Sequence, residues 1–243
     1  MISGFTFVHN AIVAGYPIVE AITAVRPWAD EVVVVDMEST DNTREVVEQE
    51  GCRVIEGQWI PGGGCHECLQ AAHALHEQCY GDVIVHFEAD EVYDPFLISH
   101  IAYGIRELGR TDALVYRIQV EQNFQRLRWA PHLVHRVFPK GSVEQREHTT
   151  DRHDGVEDII GPDHGLLWDC SSTFRGNYMA RVAQQRELWG PTSEPKFTPG
   201  HFLAPPPAYP DILEEPHWRW SRSPFALPLS LQKLVGKELY SDS

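Results

Sequence analysis

Glu31-Val32-Val33-Val34-Val35-Asp36 is the stretch on which the fold turns. Four consecutive valines make a run too short for a helix and too uniformly apolar for a strand with one wet face. It reads as a parallel strand buried on both sides. The run stops at a carboxylate, Asp36. Ser39, Thr40, Asp41, Asn42 and Thr43 follow, a cluster of helix-starting side chains, and then a polar helical stretch from Arg44 to Glu50 closed by Gly51.

Outward from this unit the same alternation repeats. Upstream, Ile2 to Val8 is strand-like, and Ile18, Val19, Ile22 and Val25 share a helix face. Downstream, Cys52 to Glu56 supplies a third strand. Leu69, Ala72 and Leu75 are spaced for a helix between Cys65 and Cys79, and after Gly81 comes a fourth strand, Val83 to Phe87. This β-α-β-α-β-α-β order predicts a parallel sheet with helices on both faces and ligands at the carboxyl ends of its strands. Beyond it we expect a helix over Pro95 to Leu108, strands at Ala113 to Val120 and His132 to Phe138, an irregular polar segment from Gly141 to Asp163, and a helix over Phe174 to Leu188. From Pro191 to Pro228 there are ten prolines. That stretch predicts an extended tail, because proline lacks the amide donor and fixes its own dihedral. Trp218, Trp220 and Phe225 are its candidate anchors.

The chain has 243 residues, 42% of them apolar and 23% charged, enough for one α/β domain with its own core. Lys and Arg total 20 against 35 for Asp and Glu, a net charge of -15. Such a field disfavours nucleic acid and anionic lipid unless basic groups gather locally. Five cysteines with no secretory leader in Met1 to Gly15 point to free thiols in a reducing, cytoplasmic setting. No run approaches the roughly 20 apolar residues of a membrane span.

The fourth strand also ends in acids, Glu88, Ala89, Asp90 and Glu91. Alone, an acidic triplet reads as a solvated turn. At the end of a buried strand it is costly unless compensated, and a divalent ion is the natural compensator. Mg²⁺ or Mn²⁺, which prefer oxygen ligands and bridge carboxylates to phosphates, would suit Asp90 with help from Glu88. At the other strand end, Asp36 is placed to accept hydrogen bonds from a base or ribose. Asp41 and Thr43 read equally well as helix caps.

In this order and spacing, Phe7-Val8-His9-Asn10, the valine strand with Asp36, Ser39-Thr40-Asp41-Asn42-Thr43, Gly81-Asp82-Val83 and Glu88-Ala89-Asp90-Glu91 resemble the inverting family 2 glycosyltransferases. The nearest likeness is to lipopolysaccharide-type sugar transferases, over residues 2–110. The resemblance implies a GT-A fold, a Rossmann-like, mostly parallel sheet flanked by helices. It implies residues 1–110 for the nucleotide-sugar half, 111–190 for the acceptor half, and 191–243 as a proline-rich extension. The donor would be a nucleotide-diphosphate sugar, a UDP-sugar first among them. It would be held by His9, Asn10, Asp36, Glu38 and Asp90, with Mn²⁺ or Mg²⁺ on Glu88 and Asp90. The acceptor would be a hydroxyl on a glycan, lipid-linked sugar, protein or modified nucleobase. Ala11, Met37 and Glu88 depart from the family's usual residues, and the longer arm of Glu88 changes the metal geometry.

Inversion requires a general base within hydrogen-bond reach of the acceptor hydroxyl. Near Arg136 to Gly141 the candidates are Glu144, Glu147 and His148. Glu147 is the first choice, with Asp154 and Asp158 as rivals. Arg126, Arg128, Arg136 and Lys140 are the densest basic group, read as surface charge or as contacts to a diphosphate. Cys65-His66-Glu67-Cys68 lacks a second zinc-spaced pair. Cys79 with His73 or His76 would have to complete an unusual site, so the pair reads as a helix start. His164, His201 and His217 are candidate extra metal ligands. The rivals to sugar transfer are a nucleotidyltransferase, whose phosphate loop is usually basic whereas Val8 to Gly15 has no Lys or Arg, and a sugar-nucleotide-binding module without catalysis.

Overall fold

The valine run forms the strand β2 (Glu31–Asp36), buried from Val32 through Asp36. On one side it pairs in parallel with β1 (Ile2–Val8), and on the other with β3 (Arg53–Glu56). β4 (Val83–His86) lies in parallel on the far side of β1. The computed structural model describes residues 1–62, 64–121, 126–142, 158–160, 164–172, 183–184, 187 and 219–221.

Alternation along β1 and β2 sorts the core into two layers. Ile2, Val8, Val32 and Val34 pack with α1 (Ile18–Val25), with Val47 of α2 (Thr43–Gln49), and with Leu97, Ile98 and Ile101 of α4 (Pro95–Leu108). Phe5, Val33 and Val35 pack in a second cluster with Cys68 and Ala72 of α3 (Gly64–His73). Because side chains alternate across a strand, the two clusters cover opposite faces of the sheet, as a doubly covered parallel sheet requires. Asp94 caps α4 by accepting from the Phe96 amide at 2.8 Å, Pro95 opens the helix, and Gly109 closes it at φ 68°. Gly81 precedes β4 because a Cβ there would come within 2.6 Å of the Ser3 amide nitrogen.

The second half extends the sheet and mixes its directions. β7 (Arg126–Pro139) runs antiparallel to β4 and to β6 (Ala113–Glu121). β9 (Leu167–Ser172) joins β6 in parallel, and β5 (Glu91–Tyr93) closes the path antiparallel to β9. The order is β3-β2-β1-β4-β7-β6-β9-β5, with the short β8 (Ile159–Ile160) on β6 and β10 (Arg219–Ser221) on β7. The parallel first half and the helix over Pro95–Leu108 are as the sequence predicts. The strands β5, β8 and β9 are not foreseen by it, since each is short and pairs with a residue run far away in sequence. Of the expected tail only residues 219–221 are described, as the strand on β7; of the helix expected over Phe174 to Leu188, only residues 183–184 and 187 are. Among the described residues no helix is long and apolar enough to cross a membrane. Cys52, Cys68 and Cys79 are free thiols, and burial pushes those of Cys52 and Cys79 up to about 11, far from the thiolate a redox role needs.

Candidate active site

β1 and β2 end together, with Val8 opposite Asp36. His9, Asn10, Asp36 and Glu38 are thereby brought to one carboxyl edge of the sheet. Two of them, Asn10 (φ 50°) and Glu38 (φ 57°), occupy the left-handed backbone region, which is costly for side-chain-bearing residues and clusters at functional loops. The strain at Asn10 is held by its own amide. Oδ1 accepts from the backbone amides of Thr40 at 2.7 Å and Asp41 at 3.2 Å and from the Thr40 hydroxyl at 3.3 Å. Its backbone amide donates to Ser39 Oγ at 2.9 Å.

The tautomer of His9 follows from its partners. Nδ1 lies 2.6 Å from the Met37 carbonyl, which can only accept, so Nδ1 carries the proton. Nε2 then accepts from Asn10 Nδ2 at 3.0 Å. The ring stacks flat on Trp59, with centroids 4.0 Å apart and planes 7° from parallel. Gln184 donates from Nε2 to the His9 carbonyl. Asp41 and Thr43 latch the loops together; the N-cap of α2 is Asn42, which makes no side-chain cap bond, and of the two only Asp41 meets an amide at the helix start. Asp41 accepts from Val13 at 2.8 Å and from Thr43 at 3.0 Å, and Thr43 Oγ1 accepts from Ile12 at 3.1 Å. Asp36 is 6% exposed, and its Oδ1 accepts from Ser39 at 3.1 Å. Its second oxygen has no hydrogen-bond partner among the described residues and remains available to a ligand donor.

At the end of β4 the acids are arranged differently from expectation. Glu91, 0% exposed, begins β5 and is gripped by Arg136, itself 5% exposed. Arg136 Nε donates to Oε2 at 2.9 Å and Nη2 to Oε1 at 2.7 Å, a bidentate pair. The same Nη2 reaches Glu88 Oε1 at 2.7 Å. Arg117 Nη1 approaches Glu91 Oε1 at 3.3 Å, and Arg117 Nε lies 3.6 Å from Asp169 Oδ2. The Glu88 amide donates to Glu91 Oε2 at 3.1 Å. Burial works against the charge on Arg136, but the Glu91 and Glu88 carboxylates overcome it and push its pKa well above the usual arginine value. Arg117 is shifted the same way against its own burial, by Asp169, Glu91 and Glu88.

Two expectations are thereby corrected. Glu88 and Glu91 are met by guanidinium groups, and Arg136 is a buried ion-pair partner rather than surface charge. Lys140 likewise donates to the Cys79 carbonyl at 3.1 Å. Asp90 is half-buried in the turn between β4 and β5. Because Glu88 Oε1 is committed to Arg136, Asp90 is the stronger candidate to hold a hard divalent ion.

Glu147 and Asp154 lie outside the described residues, as do Glu144 and His148. Asp158, their rival, pairs with Arg110 at 3.3 Å and offers its carbonyl to Leu114 at 2.9 Å, both consistent with a structural role. His164 stacks on His100 of α4, centroids 3.9 Å apart, and His201 and His217 lie outside the described residues. The sequence reading missed Arg117, Asp169 and Trp59, and it placed Arg136 among the surface charges. Arg136 carried a usable signal, a charge inside the apolar run Leu133-Val134-His135-Arg136-Val137-Phe138, which a buried strand tolerates only with a partner.

A model of glycosyl transferase family 2 matches residues 8–160. Among curated proteins, an uncharacterized glycosyltransferase of Rickettsia felis is 33% identical over 103 residues, covering 42% of this chain and 34% of that protein. A second, from Rickettsia bellii, is 32% identical over 100 residues, covering 41% and 32%. The chain spans about a third of the length of the curated relatives it matches. Among solved structures, S. aureus TarS 1–349 in complex with UDP-GlcNAc aligns with a TM-score of 0.50 and 17% identity, over 74% of this chain and 60% of that one. That likeness is one of fold.

Proposed function

The chain belongs to glycosyl transferase family 2, and on that premise we propose that it transfers a sugar from a nucleotide-diphosphate donor to a hydroxyl acceptor, with inversion and with help from a divalent ion. The observation that carries this reading is the shared carboxyl edge of β2, β1 and β4. Asp36 ends β2 and Asp90 lies in the turn that follows β4, and β1 alone separates those two strands, so both belong to one edge of the sheet.

In this reading Asp36 accepts from the base or ribose, and the stacked His9 and Trp59 rings wall the nucleoside. Asn10 acts as a positioning residue, since its amide is spent on Thr40, Asp41 and His9. Asp90, assisted by Glu88, holds Mn²⁺ or Mg²⁺, which would neutralise charge on the departing diphosphate. Arg136 fixes Glu88 and Glu91 so that the turn bearing Asp90 keeps its place. The acceptor oxygen bonds to the anomeric carbon from the face opposite the diphosphate and gives its proton to a carboxylate, Glu147 or Asp154. The bond from the anomeric carbon to the β-phosphate oxygen breaks, and its electron pair leaves with the diphosphate. The UDP-GlcNAc held by S. aureus TarS makes a UDP-sugar the first donor to try.

The test is thermal stabilisation by UDP-, GDP- and TDP-sugars, with and without Mn²⁺ or Mg²⁺, on wild type and Asp90→Ala. A ligand that binds only the folded state raises its apparent stability. Metal-dependent stabilisation by one donor, lost in Asp90→Ala, is the expected result. No response of the wild type to any donor in the presence of metal would overturn the reading.

A further inference from the structure

Among the described residues, three histidines meet beside the core layer that packs on α3. His73 ends α3, His76 sits in the short 3₁₀ turn His76–Gln78, and His86 is the last residue of β4. One ring nitrogen of each lies within 4.8 Å of the others. His76 is 1% exposed and His86 3%. Among the described residues neither nitrogen of His76 has a hydrogen-bond partner, and neither does Nδ1 of His86. Aromatic rings stand against them: Phe5 is edge-on to His76 at 4.0 Å, Phe138 lies 5.3 Å from His76, and Phe5 lies 6.1 Å from His86.

A buried polar atom left without a partner costs about 1–3 kcal/mol, so natural cores rarely gather several at one point. Three imidazoles converging in an aromatic box are a donor set for a borderline transition ion, whereas Mg²⁺ and Mn²⁺ prefer oxygen. Burial favours the neutral ring in both His76 and His86, the form that donates a lone pair to a metal. Zinc-to-nitrogen bonds of about 2.0–2.1 Å in a tetrahedron place ligand nitrogens about 3.3 Å apart, so the three must close by no more than about 1.5 Å. Cysteine has no part in the cluster, and Cys68 directs its thiol to the Ile60 carbonyl at 3.8 Å.

We propose that His73, His76 and His86 bind one zinc-like divalent transition ion, which staples the end of α3 and the turn after it to the end of β4. The ion is distinct from any at Asp90, because its ligands are nitrogens in a dry layer rather than carboxylates at the sheet edge. Its role is structural, holding β4 two residues before Glu88.

The experiment is metal content of the full chain after chelator treatment, reloading with Zn²⁺ or Co²⁺ and gel filtration. The wild type and Asp90→Ala should each retain about one ion per chain, with a visible Co²⁺ spectrum of low coordination number and a raised melting temperature on reloading. His76→Phe, which puts an apolar ring in an aromatic box and so should fold, should bind more than about 100-fold more weakly, beyond what loss of an outer partner alone produces. Should that variant fail to fold, His73→Gln at the half-buried position gives the same reading. Failure of the wild type to retain zinc at micromolar supply, or undiminished retention by the folded His76→Phe or His73→Gln protein, overturns the proposal. Retention in Asp90→Ala alongside loss of donor binding separates this site from the donor site.

Discussion

The carboxyl ends of β2 and β4 both carry a carboxylate toward the same edge, yet they are held by different physics. At β2 the loop is a lattice of hydrogen bonds from backbone amides and hydroxyls to short side chains of residues 9–13 and 36–43, with no arginine or lysine in it among the described bonds and Asn10 at its centre. At β4 the turn is fixed by buried charge, Glu91 and Glu88 against an arginine about 45 residues later. Such a lattice loses its bonds a few at a time. A buried ion pair fails abruptly, because removing one member strands the other in a medium that cannot solvate it.

The largest expected effect is therefore at Arg136. Arg136→Met should cost about 3–5 kcal/mol of unfolding free energy in a urea titration, since the buried Glu91 loses its bidentate partner and keeps, of its guanidinium contacts, the 3.3 Å approach of Arg117. The double variant Arg136→Met, Glu91→Gln should recover a large part of that loss, and a purely additive result would break the comparison. Asn10→Ala should cost about 1–3 kcal/mol by leaving the Thr40 and Asp41 amides unmet, while weakening donor binding. A loss as large as that at Arg136 would make the two ends energetically alike.

Glu31, at the amino end of β2, sharpens the comparison as a carboxylate remote from the carboxyl edge. Burial alone would raise its pKa, but bonds from Ser3, the Tyr80 amide and Arg53 outweigh it and hold the group below the ordinary value of 4.5. A depressed folded pKa gives stability that is present above the unfolded value and lost as pH falls through the folded one. The gap in unfolding free energy between wild type and Glu31→Gln should thus be about 1 kcal/mol at pH 7 and narrow below about pH 4.5, read from urea midpoints across pH. The smallest effect belongs to Glu38. Glu38→Gly should change stability by no more than about 0.5 kcal/mol, because relief of the positive φ offsets the added freedom of the unfolded chain. A donor affinity that falls with stability unchanged would assign the Glu38 side chain to the ligand.

What could be read from the sequence follows the same division. The wound sheet from β1 to β4, the helices between its strands, and the arrival of Asp36 at a strand end rest on patterns a dozen residues long, and the chain follows them. The compensation of Glu88 and Glu91 by Arg136 and Arg117 depends on β6 and β7 being laid beside β4, which no local pattern encodes. The convergence of His86 with His73 and His76 has the same origin, since an isolated histidine in an apolar strand carries no mark of its neighbours. The short strands β5 and β9 escaped notice because three to six residues of mixed character acquire a partner only in the assembled sheet.

The pairing of β4 has a consequence for the order in which the molecule is made. As the chain emerges during synthesis, residues 1–86 can assemble β1 to β4, but the outer edge of β4 is satisfied only by Val137 to Pro139 of β7. Until then the nascent protein presents an open strand edge, a template for unwanted association. β7 also carries Arg136, so the segment that closes the edge delivers the countercharge for Glu88 and Glu91 in the same event. Before it arrives, those carboxylates are best left in water, which keeps the turn beyond β4 from collapsing into a wrong burial. The second half of the chain is thus a late-arriving clasp on the first.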